Sequence, residues 1–175
     1  MSGKQLEGIV AVITGGGRSI GRSIAIAFAG AGAKLVLVAR TASQLETATN
    51  DISSMGSEAH AIVTDVTDND EVTAMANQIR TVHDRVDILV NNAGGGVESN
   101  HVVDSDPSLW IQDVNVNLVS AYLVTHAILP LMQQAGGKII NTGSGMGHIP
   151  GAGSSAYHVG KAGMWMLTRC LADEV

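Results

Sequence analysis

Tyr157 and Lys161 stand four residues apart in "YHVGK". On a helix that spacing puts both side chains on one face. A free tyrosine has a pKa of about 10 and is a poor acid–base group at neutral pH. A neighbouring ammonium favours the phenolate and lowers that pKa. The pair could then move a proton to or from a substrate oxygen. Ser144 lies thirteen residues before Tyr157, in "INTGSGMG". Its hydroxyl has two readings: a donor that polarises a carbonyl oxygen, or ordinary turn chemistry. Asn117 borders an apolar stripe, where a polar amide needs partners, structural or functional.

A second chemical signal sits near the start of the chain. "TGGGRSIGRSIA" follows an apolar run and opens a helical pattern. Glycines there let the backbone turn sharply and approach a pyrophosphate, and a helix N-terminus supplies free N–H groups and partial positive charge. Gly15 and Gly21 are six apart with Ser19 between them, so the spacing is not G-x-G-x-x-G. The alternative is a plain flexible turn. NAD-binding folds place an acid about 20 residues after the first glycine, to hold the ribose 2′-hydroxyl. Here the second apolar run ends in Ala39 and Arg40. Arg40 suits a 2′-phosphate, with Arg18 assisting, which favours NADP(H) over NAD(H). The other reading of Arg40 is a solvated surface arginine.

The elements that must position these residues are legible as alternating patterns. Runs at 8–13, 34–39, 58–63, 86–90 and 137–142 read as strands, several nearly continuous in Val, Ile and Leu. Such runs mark parallel strands covered on both faces. Helical patterns fall at 19–31, 42–55, 68–83, 107–134 and from 155 onward. The fourth carries Ile111, Val114, Leu118, Tyr122, Thr125 and Leu129 at helical spacing. Asp106 is its candidate N-cap, with Pro107 at the first position, and "QQAGGK" is its stop signal. Right-handed crossovers favour a doubly wound sheet. Ligands bind such sheets at the carboxyl ends of the strands.

Composition narrows the classes. A chain of 175 residues with 45% apolar and 15% charged residues is long enough for one real core and is not disordered. With the glycine loop above, residues 1–175 read as a single dinucleotide-binding domain. A net charge of −6 argues against nucleic acid as a partner. No uninterrupted apolar run reaches the roughly 18 residues of a membrane span, and "MSGKQLEG" is no signal peptide. Cys170 alone makes no internal disulfide, points to a cytoplasmic location, and is expected as a buried apolar side chain. The six His residues show no ligand spacing, so no metal is expected; His148 and His158 read as surface or rim residues.

Taken together, the motifs resemble those of the short-chain dehydrogenase/reductase family. "TGGGRSIG" is similar to the family's TGxxxGxG loop, and "NNAG" at 91–94 to its stabilising motif beside the cofactor. Asn117, Ser144, Tyr157 and Lys161 match its Asn–Ser–Tyr–Lys tetrad, and Asp65 in "TDVTD" resembles the acid that holds the adenine. The resemblance covers the whole chain. It implies a Rossmann-like doubly wound parallel sheet in order 3-2-1-4-5, and hydride transfer between NADP(H) and a small-molecule carbonyl or secondary alcohol. Tyr157 would be the acid–base group, Lys161 would lower its pKa and hold the nicotinamide ribose, Ser144 would orient the substrate oxygen, and Asn117 would anchor a water. Cofactor contacts would come from Gly15, Arg18, Ser19, Ile20 and Gly21, from Arg40, Asp65 and Val66, from Asn92, Ala93 and Gly94, and from Tyr157 and Lys161.

Two departures accompany the resemblance. Ser19 stands where the family loop has glycine. The sequence also ends after the Tyr/Lys helix, without the family's last two strands and substrate-covering segment. The fifth strand is then expected at an edge, and the last helix is expected to expose residues among Met164, Trp165, Met166, Leu167 and Leu171. Homo-oligomers, dimer or tetramer, follow from the resemblance, whose members pair through the fourth and fifth helices. A competing reading is a catalytically impaired nucleotide-binding remnant, or a fragment, that acts through binding or self-association.

Overall fold

The computed structural model describes residues 4–96, 99–132 and 136–175. Five strands form a single parallel sheet: β1 (Val10–Thr14), β2 (Lys34–Ala39), β3 (Ala59–Val63), β4 (Ile88–Asn91) and β5 (Lys138–Asn141). Their order is β3-β2-β1-β4-β5. Between them run α1 (Ser19–Gly30), α2 (Ala42–Ser54), α3 (Asn69–Val82), α4 (Pro107–Val114) and α5 (Ser120–Met132), and α6 (Ser155–Glu174) follows β5. The expected Rossmann-like, doubly wound architecture is thus the one observed.

Hydrophobic patterning explains the layers. All five residues of β1 are buried, because the strand lies in the sheet centre with helices on both faces. Alternate side chains enter two separate cores. Val12, Val36 and Leu89 meet Val72, Met75 and Ile79 of α3 and Val124 and Ile128 of α5. Ala11, Ile13, Leu35, Leu37 and Val90 meet Ala25 and Ala29 of α1 and Leu45, Ala48 and Ile52 of α2. Ala25 and Ala29 on α1 allow a close helix–sheet approach. The outer strands β3 and β5 are each covered only in part, and Ile140 is exposed at the β5 edge.

The helix expected over 107–134 differs in detail. Asp106 caps it through the Ser108 N–H at 2.7 Å, with Pro107 at the first position. Continuity breaks at a π-turn over Asn115–Val119 that separates α4 from α5. The expected end of this helix and its "QQAGGK" stop signal lie partly outside the described residues. The stripe read from the sequence meets the sheet only in part: Thr125 is buried, but Ile111 and Tyr122 are exposed, while Asp113, Asn117, Val124, Ile128 and Leu131 are buried. The buried set keeps three- and four-residue spacing, so a phase taken from large apolar residues alone selects a neighbouring face. Leu118 turns instead toward α6, where a Cβ on Gly163 would lie 2.5 Å from its Cδ2. The stretch Pro107–Met132 has the length and apolar composition to cross a membrane, but α5 packs as a core helix on the sheet.

Helix α6 exposes Trp165 and Met166 from the set anticipated, while Met164 is buried, and it departs from expectation at one position. Cys170, expected to be buried, is exposed. It lies on the outward face near the end of α6, where no described element packs over it.

Candidate active site

The carboxyl ends of β1, β2, β3 and β4 open onto a cavity of about 370 Å³. At its centre β1 gives way to the glycine turn. Gly15 has φ +65, a left-handed conformation that favours glycine. A Cβ on Gly21 would collide with the Gly15 carbonyl oxygen and approach Asn92 Nδ2 to 2.6 Å, so α1 packs this tightly on the turn only with glycine there. No side chain caps the N-terminus of α1, and its first turn carries no acid. Its N–H groups are therefore available to an anion in the adjoining cavity. Ser19, where the family has glycine, also takes left-handed geometry, at φ +47. Backbone geometry is thus one physical reason for glycine at that position.

Thr14 ties this turn to the segment after β4. Its Oγ1 accepts hydrogen bonds from the Asn92 and Ala93 N–H groups at 3.0 Å each and donates to the Val90 carbonyl at 3.4 Å. Asn92 Nδ2 donates to the Thr14 carbonyl at 3.0 Å. The "NNAG" segment is held against the glycine turn from both backbone and side chain.

At one end of the cavity, Arg40 Nη1 lies 3.6 Å from Asp65 Oδ2. Asp65 Oδ1 accepts from the Thr67 N–H at 2.9 Å and the Thr67 hydroxyl at 2.7 Å. Partial burial alone would push the Asp65 carboxyl up, but the Thr67 hydrogen bonds and the Arg40 guanidinium outweigh it and hold the pKa below its usual value. Arg18 and Arg40 are both exposed, so this end of the cavity offers two guanidinium groups.

At the other end, α6 carries Tyr157 and Lys161 on one face as the spacing required. Lys161 Nζ lies 5.7 Å from the Tyr157 ring centroid and donates to the Thr142 carbonyl at 2.9 Å. Only 4% of Lys161 is exposed, and burial lowers its pKa below the usual lysine value. A buried ammonium therefore stands beside the phenol. Asn117 sits in the π-turn behind this pair, fully buried. Its Nδ2 donates to the Gly95 carbonyl at 2.7 Å and its Oδ1 accepts from the Gly95 N–H at 3.1 Å. Ser144 begins a 3-10 turn over Gly145–Gly147, and its Oγ accepts from the Met146 N–H at 3.2 Å. The turn-forming reading of Ser144 is therefore realised.

The cavity gathers most of the residues expected from the sequence. Gly15, Arg18, Ser19, Ile20, Arg40, Asp65, Val66, Asn92, Ala93, Gly94, Tyr157 and Lys161 all line it. Gly21 and Asn117 are buried, and Ser144 is not among its lining residues. His158 bonds within its own helix turn, Nδ1 to the Ser154 carbonyl at 2.8 Å, and His148 packs edge-on against Trp165. Sequence reasoning passed over Thr14 and Thr142. Each stands at the carboxyl end of a strand, in "ITGG" and "NTGS", and that position is the signal that could have marked them.

Comparison with known proteins agrees with the geometry. The short chain dehydrogenase family matches residues 9–175, and the chain belongs to that family. An uncharacterized oxidoreductase of Mycobacterium tuberculosis is 36% identical over 170 residues, covering 96% of this chain and 64% of that protein. The chain thus spans a little under two thirds of that relative's length. A metagenomic short-chain oxidoreductase solved in complex with NADP superposes with a TM-score of 0.93 at 37% identity, covering 97% of this chain and 77% of the other. An NAD+-bound xylitol dehydrogenase superposes with a TM-score of 0.94 at 28% identity, covering 98% and 66%. Both nucleotides thus occur among similar structures.

Proposed function

We propose that this chain carries the cofactor site and acid–base centre of an NADP(H)-dependent oxidoreductase acting on a carbonyl or secondary alcohol. The observation that carries the proposal is one cavity with an uncapped helix N-terminus at its middle, guanidinium groups at one end, and Tyr157 with a buried Lys161 at the other. The residues present fit the nucleotide. The N–H groups of α1 suit its pyrophosphate, Arg40 and Arg18 suit a 2′-phosphate, and Asp65 with Val66 suits the adenine. When bound, NADP(H) supplies the hydride donor or acceptor at its nicotinamide carbon.

The remaining steps belong to the protein. Tyr157 gives a proton to the substrate oxygen in reduction and removes it in oxidation. Lys161, fixed by the Thr142 carbonyl, holds its ammonium beside the phenol. Ser144 orients the substrate oxygen through its O–H, which the hydrogen bond accepted from the Met146 N–H leaves free to donate. Asn117 holds the Gly95 backbone at the wall of the cavity. The substrate is a small molecule, and a homo-oligomer is the working form.

A fluorescence titration with NADPH and NADH tests the cofactor assignment. NADPH is expected to bind more tightly, with Arg40→Ala removing about tenfold of that preference. Equal or tighter NADH binding would overturn it. Tyr157→Phe is expected to abolish carbonyl reduction while leaving NADPH affinity nearly unchanged. Activity surviving in that variant would remove Tyr157 from the mechanism.

A further inference from the structure

Asp113 is a fully buried carboxylate, the single buried residue of α4, and the acid–base steps above make no use of it. Removing a carboxylate from water is costly unless its oxygens are hydrogen-bonded. Asp113 Oδ1 accepts from Asn117 Nδ2 at 2.6 Å, and the Asp113 carbonyl accepts from the same nitrogen at 2.9 Å. The same amide also exchanges two hydrogen bonds with the Gly95 backbone. Gly94, the preceding residue, sits between Asn117 and the catalytic lysine. A Cβ there would lie 2.8 Å from Asn117 Oδ1 and 3.3 Å from Lys161 Nζ. Hydrogen bonds therefore run from Asp113 through Asn117 to Gly95 at the wall of the cavity, and Gly94 leaves no room for a side chain between Asn117 and Lys161.

We infer that Asp113 is a positioning residue that fixes the orientation of the Asn117 amide and, through it, the Gly94–Gly95 wall. The reasoning lies in donor and acceptor chemistry. An asparagine amide has a donating and an accepting end of nearly equal shape, whereas an ionised carboxylate only accepts. With Asp113 present, a flipped amide would set its oxygen against Asp113 Oδ1 and the Asp113 carbonyl. It would also set its nitrogen against the Gly95 N–H. Both contacts are repulsive, so a single orientation survives. An apolar residue at 113 would leave only the Gly95 contacts and the Asp113 carbonyl to select it. The inference rests on the reading of this cavity as the nicotinamide nucleotide site.

The test combines amide hydrogen exchange with NADPH titration, on wild type, Asp113→Val, Asp113→Asn, Asn117→Ala and the double variant Asp113→Val/Asn117→Ala. In Asp113→Val, the Gly95 amide is expected to exchange about tenfold faster relative to core amides such as Val12 and Leu37, and NADPH affinity to fall about fivefold. Asp113→Asn, which retains an acceptor of the same shape, is expected to restore most of both. The double variant is expected to bind NADPH within about twofold of Asn117→Ala alone, because the two residues act as one unit. Multiplicative losses in the double variant, or Gly95 exchange that moves only in step with the core, would overturn the inference. If Asp113→Val does not fold, the wild-type Asn117 side-chain amide decides: its protons are expected to be strongly protected, and fast exchange would overturn the inference. Failure of wild type to bind either nucleotide would sink the cofactor reading, while the Gly95 exchange comparison would still judge Asp113.

Discussion

Lys161 Nζ lies 2.9 Å from the Thr142 carbonyl oxygen, so a buried ammonium is anchored to the residue that follows β5. Burial lowers the lysine pKa from its usual 10.5. The unfolded chain therefore binds the proton more strongly, and this group costs the fold stability at neutral pH. The cost is relieved as pH rises through the lowered folded pKa toward 10.5. Lys161→Met is expected to raise stability at pH 7 by about 0.5–2 kcal/mol, as commonly seen when a functional residue that opposes folding is replaced. It should also eliminate any carbonyl reduction. Urea unfolding from pH 7 to pH 10 checks this: the advantage of the variant should shrink as pH rises. A variant less stable than wild type at pH 7 would show that the Thr142 hydrogen bond outweighs burial.

Ser19 holds a left-handed backbone at φ +47. For a residue with a Cβ that conformation costs about 1–2 kcal/mol, partly offset by the greater chain entropy glycine loses on folding. Ser19→Gly is expected to gain about 0.5–1 kcal/mol, and Ser19→Ala none. Thermal melts provide the measurement, with a shift of roughly 2–4 °C per kcal/mol expected for a chain of this size. An unchanged melting temperature in Ser19→Gly would mean that the serine hydroxyl compensates its own strain.

Thr14 Oγ1 serves three backbone groups while only 2% of the residue is exposed. Thr14→Val keeps the shape and orphans the Asn92 and Ala93 N–H groups. The expected loss is about 2–4 kcal/mol, with unsatisfied groups costing about 1–3 kcal/mol each. Thr14→Ser, which keeps the oxygen, should stay within about 1 kcal/mol of wild type. Chemical denaturation of the pair discriminates: a loss in Thr14→Ser with none in Thr14→Val would mean the methyl group, and not the hydroxyl, is what matters.

His83 caps the C-terminal end of α3, and its Nε2 is buried without a hydrogen-bond partner among the described residues. Burial, followed by the nearby His60 and Lys34, lowers its pKa below 6.5 against the opposing effect of Glu58 and Asp84. The unfolded chain then takes up the proton first as pH falls. Stability from this site is fully present above pH 6.5 and is lost as pH drops below it, until folded His83 also protonates. His83→Phe should flatten the fall in urea midpoint between pH 7 and pH 5. An unaltered slope would assign the acid sensitivity to other groups.

The sheet was legible because its strands are short, apolar and bounded by turn residues, and because the central strands are buried on both faces. The Tyr157–Lys161 pair was legible because four-residue spacing survives any regular helix. Asp113 was not, because a carboxylate beside apolar residues reads as the solvated face. The phase of the helix over 107–132 was set by its large apolar residues, and that choice left Ile111 and Tyr122 outside. Cys170 misled in the opposite way: small apolar side chains usually seek the interior, but position 170 falls on the exposed face of α6. Thr142 escaped notice because its backbone carbonyl, not its side chain, holds the lysine, and backbone roles leave no trace in residue type.

The strand order has a consequence for the order of events during synthesis. β1 emerges first, yet it occupies the middle of the sheet, pairing with β2 on one side and β4 on the other. Its last residue, Thr14, receives the Asn92 N–H from 78 positions later. One flank of β1 therefore waits for about half of the chain to be made, and long-range pairing of this kind folds slowly. The proposed nucleotide cleft is completed late, so a nascent chain short of β4 could not draw on a bound cofactor for stability.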